Sequence, residues 1–354
     1  MLKTRDLSLD LLKACAIFLV IYGHSIQYFG IGRAVLDDAI GKLIYMVHMP
    51  LFIFVSGYVS VNYNWGGVIK RLKGLLIPMA LWSIIFYICN LFFIPHFNHV
   101  SFLSIIKEIC INFINGFWFV WALIFCYLFT YITLYLLRLS YLLTIILYLL
   151  IFLFVPDTFL RIGYFLHFKV LFPFYLLGTI CCKYNVLHKL GLRISDKVWD
   201  KPRISSIIII CTSLYIILWW LGDGSLFLYN LNLTFYNQPI NEIIHNITGF
   251  IFILFSGIIG IILLMILCDL ITIFTPVPKF ILIIGSRTLS IYFIQTVFFN
   301  VFIKHISFKI NNSLMYFLSS FLVLGMCYLI TIPLSHSKYT SYLLLGKKIK
   351  SCNK

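Results

Sequence analysis

Apolar runs of nearly membrane-spanning length recur from one end of the chain to the other, separated by short polar or basic connections. A helix needs about 20 mainly apolar residues to cross the hydrocarbon core. Ten segments approach that length, at about 7–29, 40–61, 74–95, 115–137, 140–155, 162–182, 204–221, 247–269, 280–303 and 313–334, with boundaries good to a few residues. The fifth is short and is closed by Pro156, and the ninth is interrupted by Gly285-Ser286-Arg287. Irregular backbone at membrane depth is tolerated only where protein or a cavity covers it, so the ninth reads as a broken, cavity-lining entry. The pattern predicts an all-α, polytopic transmembrane bundle of about ten spans. It fills 1–354 as one integral-membrane domain, with a basic tail from about 335 to 354.

Composition agrees: the chain is 62% hydrophobic and 11% charged, with a mean hydropathy of +1.03. The first segment follows Lys3, Arg5 and Asp6, lacks a small-residue cleavage site, and carries Asp10, Lys13 and His24. It reads as a retained helix, not a signal peptide. The 27 Lys and Arg fall unevenly on alternate connections, with clusters at Lys70-Arg71-Lys73, from Lys183 to Arg203, and from Lys338 to Lys354. The opposite side carries only a scatter from Arg33 to Lys309. By the positive-inside rule both termini are cytoplasmic. The net charge of +16 reads as topology and attraction to anionic lipid, not as a nucleic-acid surface.

The ten cysteines contain no Cys-x-x-Cys and most fall within spans, where a thiol acts as a small apolar group; neither a metal site nor disulfides are expected. None of the eleven carboxylates falls clearly mid-membrane, although an ion-coupled transporter normally needs a buried proton site. Two connections are long. Lys183 to Arg203 is basic, suited either to topology or to docking an acyl-CoA or nucleotide. Gly222 to His245 is rich in aromatic and amide side chains, suited either to a membrane interface or to a sugar.

The candidate chemistry lies in the first span. Ten residues separate Lys13 from His24, so the eleven steps, about three helical turns, place both on one face, about 16 Å apart. Ionisable groups inside a span are costly and point to function by default. The plain alternatives for Lys13 are snorkelling to the interface or pairing with Asp10 at i+3.

The stretch Arg5…Leu9-Asp10-Leu-Leu-Lys13…His24 resembles the opening of the integral-membrane acyltransferase family 3, whose hallmark is Arg or Lys, ten residues, then His. Similar segments follow in family order: His48-Met-Pro through Ser56-Gly57-Tyr58, Lys70-Arg71-Leu-Lys73 through Pro78, Phe117-Trp118-Phe119, Phe172-Pro173 through Gly178, and Gly285-Ser286-Arg287 through Tyr292. Two positions depart from it. The Arg-x-x-Arg of many members stands here as Lys70-Arg71-Leu72-Lys73, and Gln295 stands where many relatives have His, which excludes a second base there. The chain also ends without the fused hydrolase-like domain of some relatives, so it resembles the stand-alone O-acetyltransferases that act on fucose, common antigen or exopolysaccharide.

The resemblance implies a bacterial inner-membrane O-acyltransferase. It would carry acetyl, or another short acyl group, from acetyl-CoA to a hydroxyl of a cell-surface glycan or its lipid-linked precursor. In that reading His24 is the base or an acyl relay, because an imidazole titrates near neutral pH. Lys13 positions the donor or the histidine, and Lys70, Arg71, Lys73 and Arg287 hold the donor's anionic groups. His48, Ser56, Trp118 and Gln295 are candidates for contact with substrate, each with a packing role as the plain alternative. No metal or nucleic-acid partner is expected. The rival class is a transporter of a glycolipid or small solute, which moves its cargo without covalent change.

Overall fold

Polar caps start the helices and apolar length carries them. In this computed structural model, which describes residues 6–30, 38–60, 63–93, 101–155, 165–189, 201–222, 240–304 and 312–346, Asp6 accepts from the Leu9 N–H and opens α1 (Leu7–Phe29). Asp38 does the same through Gly41 for α2 (Ala39–Tyr58). In each case a side-chain oxygen satisfies a backbone N–H that the helix leaves without a partner. There follow α3 (Trp65–Phe93), α4 (Phe102–Asn115), α5 (Trp118–Thr130) with a π-helical continuation (Tyr131–Leu136), α6 (Tyr141–Phe154), α7 (Phe165–Tyr184) and the single turn α8 (Val186–Lys189). The rest are α9 (Lys201–Leu221), α10 (Ile240–Phe274), α11 (Lys279–Ser286), α12 (Thr288–Val297) with a second π turn (Phe298–Ile303), α13 (Ser313–Leu334) and α14 (Lys338–Leu345).

Seven of the described helices are long and apolar enough to cross a membrane, and the α11–α12 pair, bent by 75°, would make an eighth. The chain is a multi-pass membrane protein. The bend falls at the expected Gly285-Ser286-Arg287 break. Gly285 is needed there because a Cβ would run into the Asp10 carbonyl of α1. Small residues permit such close backbone approach between membrane helices.

α1 is the central post, packed against α2, α10, α11, α12 and α13. The Ser8 hydroxyl donates to Asp269, tying α1 to α10. The most extensive contact joins α2 to α7, where Gly57 lies against the Tyr175 carbonyl and Gly178 against that of Phe54.

Several boundaries differ from the sequence expectation. Lys70, Arg71 and Lys73 stand on the first turns of α3, not in a loop before it. Residues 102–115, all but the last expected as connection, form α4 against α3. The tail is not merely basic. α14 folds back onto α3, its Leu344 carbonyl accepting from the Trp82 indole at 3.0 Å and its Leu345 carbonyl from the Ser290 hydroxyl at 3.4 Å. Most of the basic connection after Lys189, of the aromatic connection after Gly222, and the final residues after Gly346 lie outside the described residues.

Candidate active site

α1 carries His24 to the place where it meets α2 and α12. His24 Nδ1 is 2.8 Å from Oε1 of Gln295, which is fully buried. The Gln295 amide donates to the Thr296 hydroxyl at 3.0 Å, and that hydroxyl donates to the Tyr292 carbonyl one turn back at 2.7 Å. A second bridge lies one turn along α1: the Tyr28 hydroxyl donates to Asn300 Oδ1 at 2.8 Å, and Asn300 donates to the Thr296 carbonyl at 2.9 Å. Gln295 and Asn300 are five residues apart, too far round an α-helix to share a face. The wider π turn that begins at Phe298 brings Asn300 back toward α1. Phe299 on the same turn packs edge-on to the His24 ring, with centroids 5.7 Å apart.

His48 enters from α2. Its Nδ1 is 2.8 Å from the Ile44 carbonyl, so Nδ1 carries the proton. The Tyr45 ring stands edge-on to it at 4.7 Å and reaches back over Gly23, where a Cβ would meet the ring at 3.0 Å. Gly23, the residue before His24, is therefore the seat for Tyr45.

A cavity of about 1130 Å³ opens at the end of the bundle that carries Lys70, Arg71 and Lys73, all three of which line it, with Ser56, Ser60 and Tyr127. Small-molecule sites typically measure about 300–1,000 Å³, so this one has room for a large ligand. The Arg71 guanidinium lies 5.1 Å from the centre of the Tyr127 ring, a cation–π contact. Gly346 of the α14 end forms part of the wall, in the left-handed conformation at φ +64°; a Cβ there would meet the Gly74 carbonyl at 2.6 Å. Part of the lining is aromatic: Phe52, Phe119 and Tyr292 stand together, with ring centres 5.4 and 5.5 Å apart. From there His48 is one turn along α2 from Phe52, and Gln295 is one turn along α12 from Tyr292, a further step of about 5–6 Å. Two helices thus lead from the basic cavity to the two histidines.

The other expected residues separate from this group. Lys13 pairs with Asp10 at 3.4 Å, and its eleven-residue spacing leaves it about 16 Å along α1 from His24. Arg287 does not line the cavity, although the next two residues, Thr288 and Leu289, do. Its guanidinium donates to Thr331 at 2.9 Å and Ser335 at 3.1 Å, clamping the helix break to α13. Trp118 packs against the His167 ring at 4.4 Å. Thr296, Asn300, Tyr45 and His167 carried no spacing signal in the sequence, because their partners lie on distant segments. Lys169, expected among the scattered basic residues of the side opposite the termini, is fully buried and donates to the Val155 carbonyl at 2.6 Å.

The Lys13–Asp10 pair supports one prediction. Arginine can keep the pairing and alanine cannot. Activity of Lys13→Ala membranes is expected to fall about tenfold below that of Lys13→Arg, equivalent to about 1.4 kcal/mol. Equal rates for the two, measured at matched protein levels, would show that the cation is dispensable.

The multi-pass helical bundle thus brings together a half-buried imidazole held by an amide and, nearby, a cavity lined by basic residues. Residues 6–332 match the family model described as an acyltransferase domain, and the chain belongs to that family, acyltransferase family 3. Two curated relatives are both called nodulation protein NolL. The Mesorhizobium japonicum protein is 35% identical over 128 residues, 34% of this chain and 34% of its own length. The Sinorhizobium fredii protein is 32% identical over 138 residues, 36% of each. The chain therefore aligns with only about a third of the length of these relatives. No solved structure matches it significantly.

Proposed function

We propose that the chain is an O-acyltransferase of the bacterial inner membrane, with ten spans and both termini cytoplasmic. It takes acetyl, or another short acyl group, from acyl-CoA to a hydroxyl of a surface glycan or its lipid-linked precursor. The observation that carries this reading is a cavity lined both by Lys70, Arg71 and Lys73 and by Tyr292, one turn short of the residue that holds His24. The donor's phosphates rest on the basic residues, where hydrogen bonds between charged groups are strongest. Its pantetheine arm runs along the apolar wall of Phe52, Leu123 and Phe119 toward the histidine.

In the transfer step the acceptor oxygen forms a bond to the thioester carbonyl carbon and the carbon–sulfur bond breaks. His24 takes the hydroxyl proton and returns it to the departing thiolate, giving the ester and free coenzyme A. A variant of the same chemistry passes the acyl group through the imidazole first. Lys13 acts at a distance, by holding Asp10 and the inner turns of α1 in place.

The donor assignment is tested by binding. Arg71→Ala removes a planar cation from the cavity wall, and a hydrogen bond to a charged group contributes about 1.5–3 kcal/mol. Affinity of the purified protein for coenzyme A is expected to fall about 10- to 100-fold, with Arg71→Lys recovering only part of the loss. Unchanged calorimetric affinity in Arg71→Ala would remove the cavity as the donor site.

A further inference from the structure

The hydrogen bonds around His24 form a chain whose direction is fixed from one end. The Tyr292 carbonyl can only accept, so the Thr296 hydroxyl, 2.7 Å away, must spend its single proton there. That leaves Thr296 Oγ1 able only to accept from Gln295, so the NH2 end of the amide faces Thr296 at 3.0 Å. The carbonyl end of the amide then faces His24 Nδ1, and a carbonyl requires a proton on that nitrogen. A neutral imidazole with its proton on Nδ1 has its lone pair on Nε2.

We propose that Thr296 is a positioning residue. By giving its proton to Tyr292 it locks the Gln295 amide, and the amide in turn holds His24 in the tautomer whose Nε2 is the free base. The inference rests on the reading of His24 as that base, and it concerns a residue that itself touches no substrate. Thr296 is buried at 4% exposure beside the fully buried Gln295, so no bulk water is at hand to replace the missing acceptor. Valine has the shape of threonine without its hydroxyl. In Thr296→Val the amide NH2 loses its acceptor, and turning the amide over gives the NH2 a partner in His24 Nδ1 while leaving the carbonyl unpaired instead, the better tolerated of the two. The turned amide donates to Nδ1 and forces the proton onto Nε2, which abolishes the base.

Two measurements on the full-length chain test this. The first is independent of any acyl transfer: 15N magnetic-resonance spectra of histidine-labelled protein in lipid, with the His24 signal identified by its loss in His24→Ala. The wild type is expected to show a protonated Nδ1 and a bare Nε2, and Thr296→Val to show the opposite tautomer gaining population. A protonated Nε2 in the neutral wild-type ring overturns the inference, even if acyl transfer is confirmed. The second is a kinetic cycle with labelled acetyl-CoA in membranes that transfer label to glycan. Thr296→Val is expected to lower the saturating rate about tenfold, since leaving a buried donor without a partner carries a penalty of that order. The half-saturating acetyl-CoA concentration stays unchanged, and Thr296→Ser remains within about twofold of wild type. In a Gln295→Leu background the valine substitution costs nothing further, because the two residues act in series. A Thr296→Ser rate as low as that of Thr296→Val, or a full additional loss in the Gln295→Leu background, overturns the inference by making the role one of packing. If wild-type membranes transfer no label while the tautomer is as described, the reading of the function fails and the hydrogen-bond relay stands.

Discussion

His24→Ala is expected to lower acyl transfer by about 10²- to 10⁴-fold, the range general acid–base groups contribute, with the protein still present at wild-type level. The loss follows from chemistry. A sugar hydroxyl does not ionise near neutral pH, and His48 and the His24 partner Gln295 each lie one turn along their helices from the aromatic lining of the cavity. His48 is not expected to substitute, because it is buried at 4% exposure with the Tyr45 ring edge-on to it, whereas His24 is only half-buried. The fold tolerates the change. Thr296 keeps its bond to the Tyr292 carbonyl without the imidazole, and the neighbouring Tyr28–Asn300 bridge still joins α1 to the π turn. His24→Gln serves as the polar control: it retains a partner for Gln295 but no group that can take a proton at neutral pH, and it is expected to be as inactive as alanine. Well-folded His24→Ala protein with wild-type transfer would remove the histidine from the mechanism.

Gly178→Ala is expected to damage the fold itself. The added methyl would overlap the Phe54 carbonyl of α2, and a backbone atom cannot swing aside as a side chain can. α2 and α7 must move apart along the most extensive helix contact in the molecule. Overpacking of this kind costs about 1–3 kcal/mol. α2 also carries Phe52 and Ser56 of the cavity wall and, one turn further, His48, so donor binding is expected to weaken along with stability. Gly325→Ala is the matched control, because a Cβ there meets open space, and it should be neutral. Thermal unfolding of purified protein in detergent separates the two; equal midpoints would contradict the close α2–α7 packing.

The sequence made the bundle legible because its main signal, apolar length, is local. It also located the break before Thr288, since Gly285 and Arg287 interrupt an otherwise apolar run, and it singled out His24 by the rarity of ionisable groups in spans. It did not show what holds His24. Gln295 is 271 residues away, and which faces of two helices meet depends on their rotation and crossing. Helices that are apolar all round carry little amphipathic marking of the buried face. The π turn at Phe298 added a further shift that no periodic reading contains. The inward fold of α14 was hidden for a different reason: its basic flanks look like a solvated tail, while its contact is made by backbone carbonyls of Leu344 and Leu345, which no side-chain pattern announces. Lys13 was legible as unusual, but spacing alone left both Asp10 and a donor as its partner, and the structure places it beside Asp10.

The most direct test of the central claim follows labelled acyl groups, using membranes that carry the wild-type chain or His24→Ala, supplied with acetyl-CoA labelled on the acetyl carbon and with cell-envelope glycan. The account predicts ester-linked label on glycan, with matching release of coenzyme A, in wild-type membranes alone. Glycan or solute crossing the membrane unmodified, with the thioester intact across several acyl-CoAs and acceptors, would contradict it and favour a transporter.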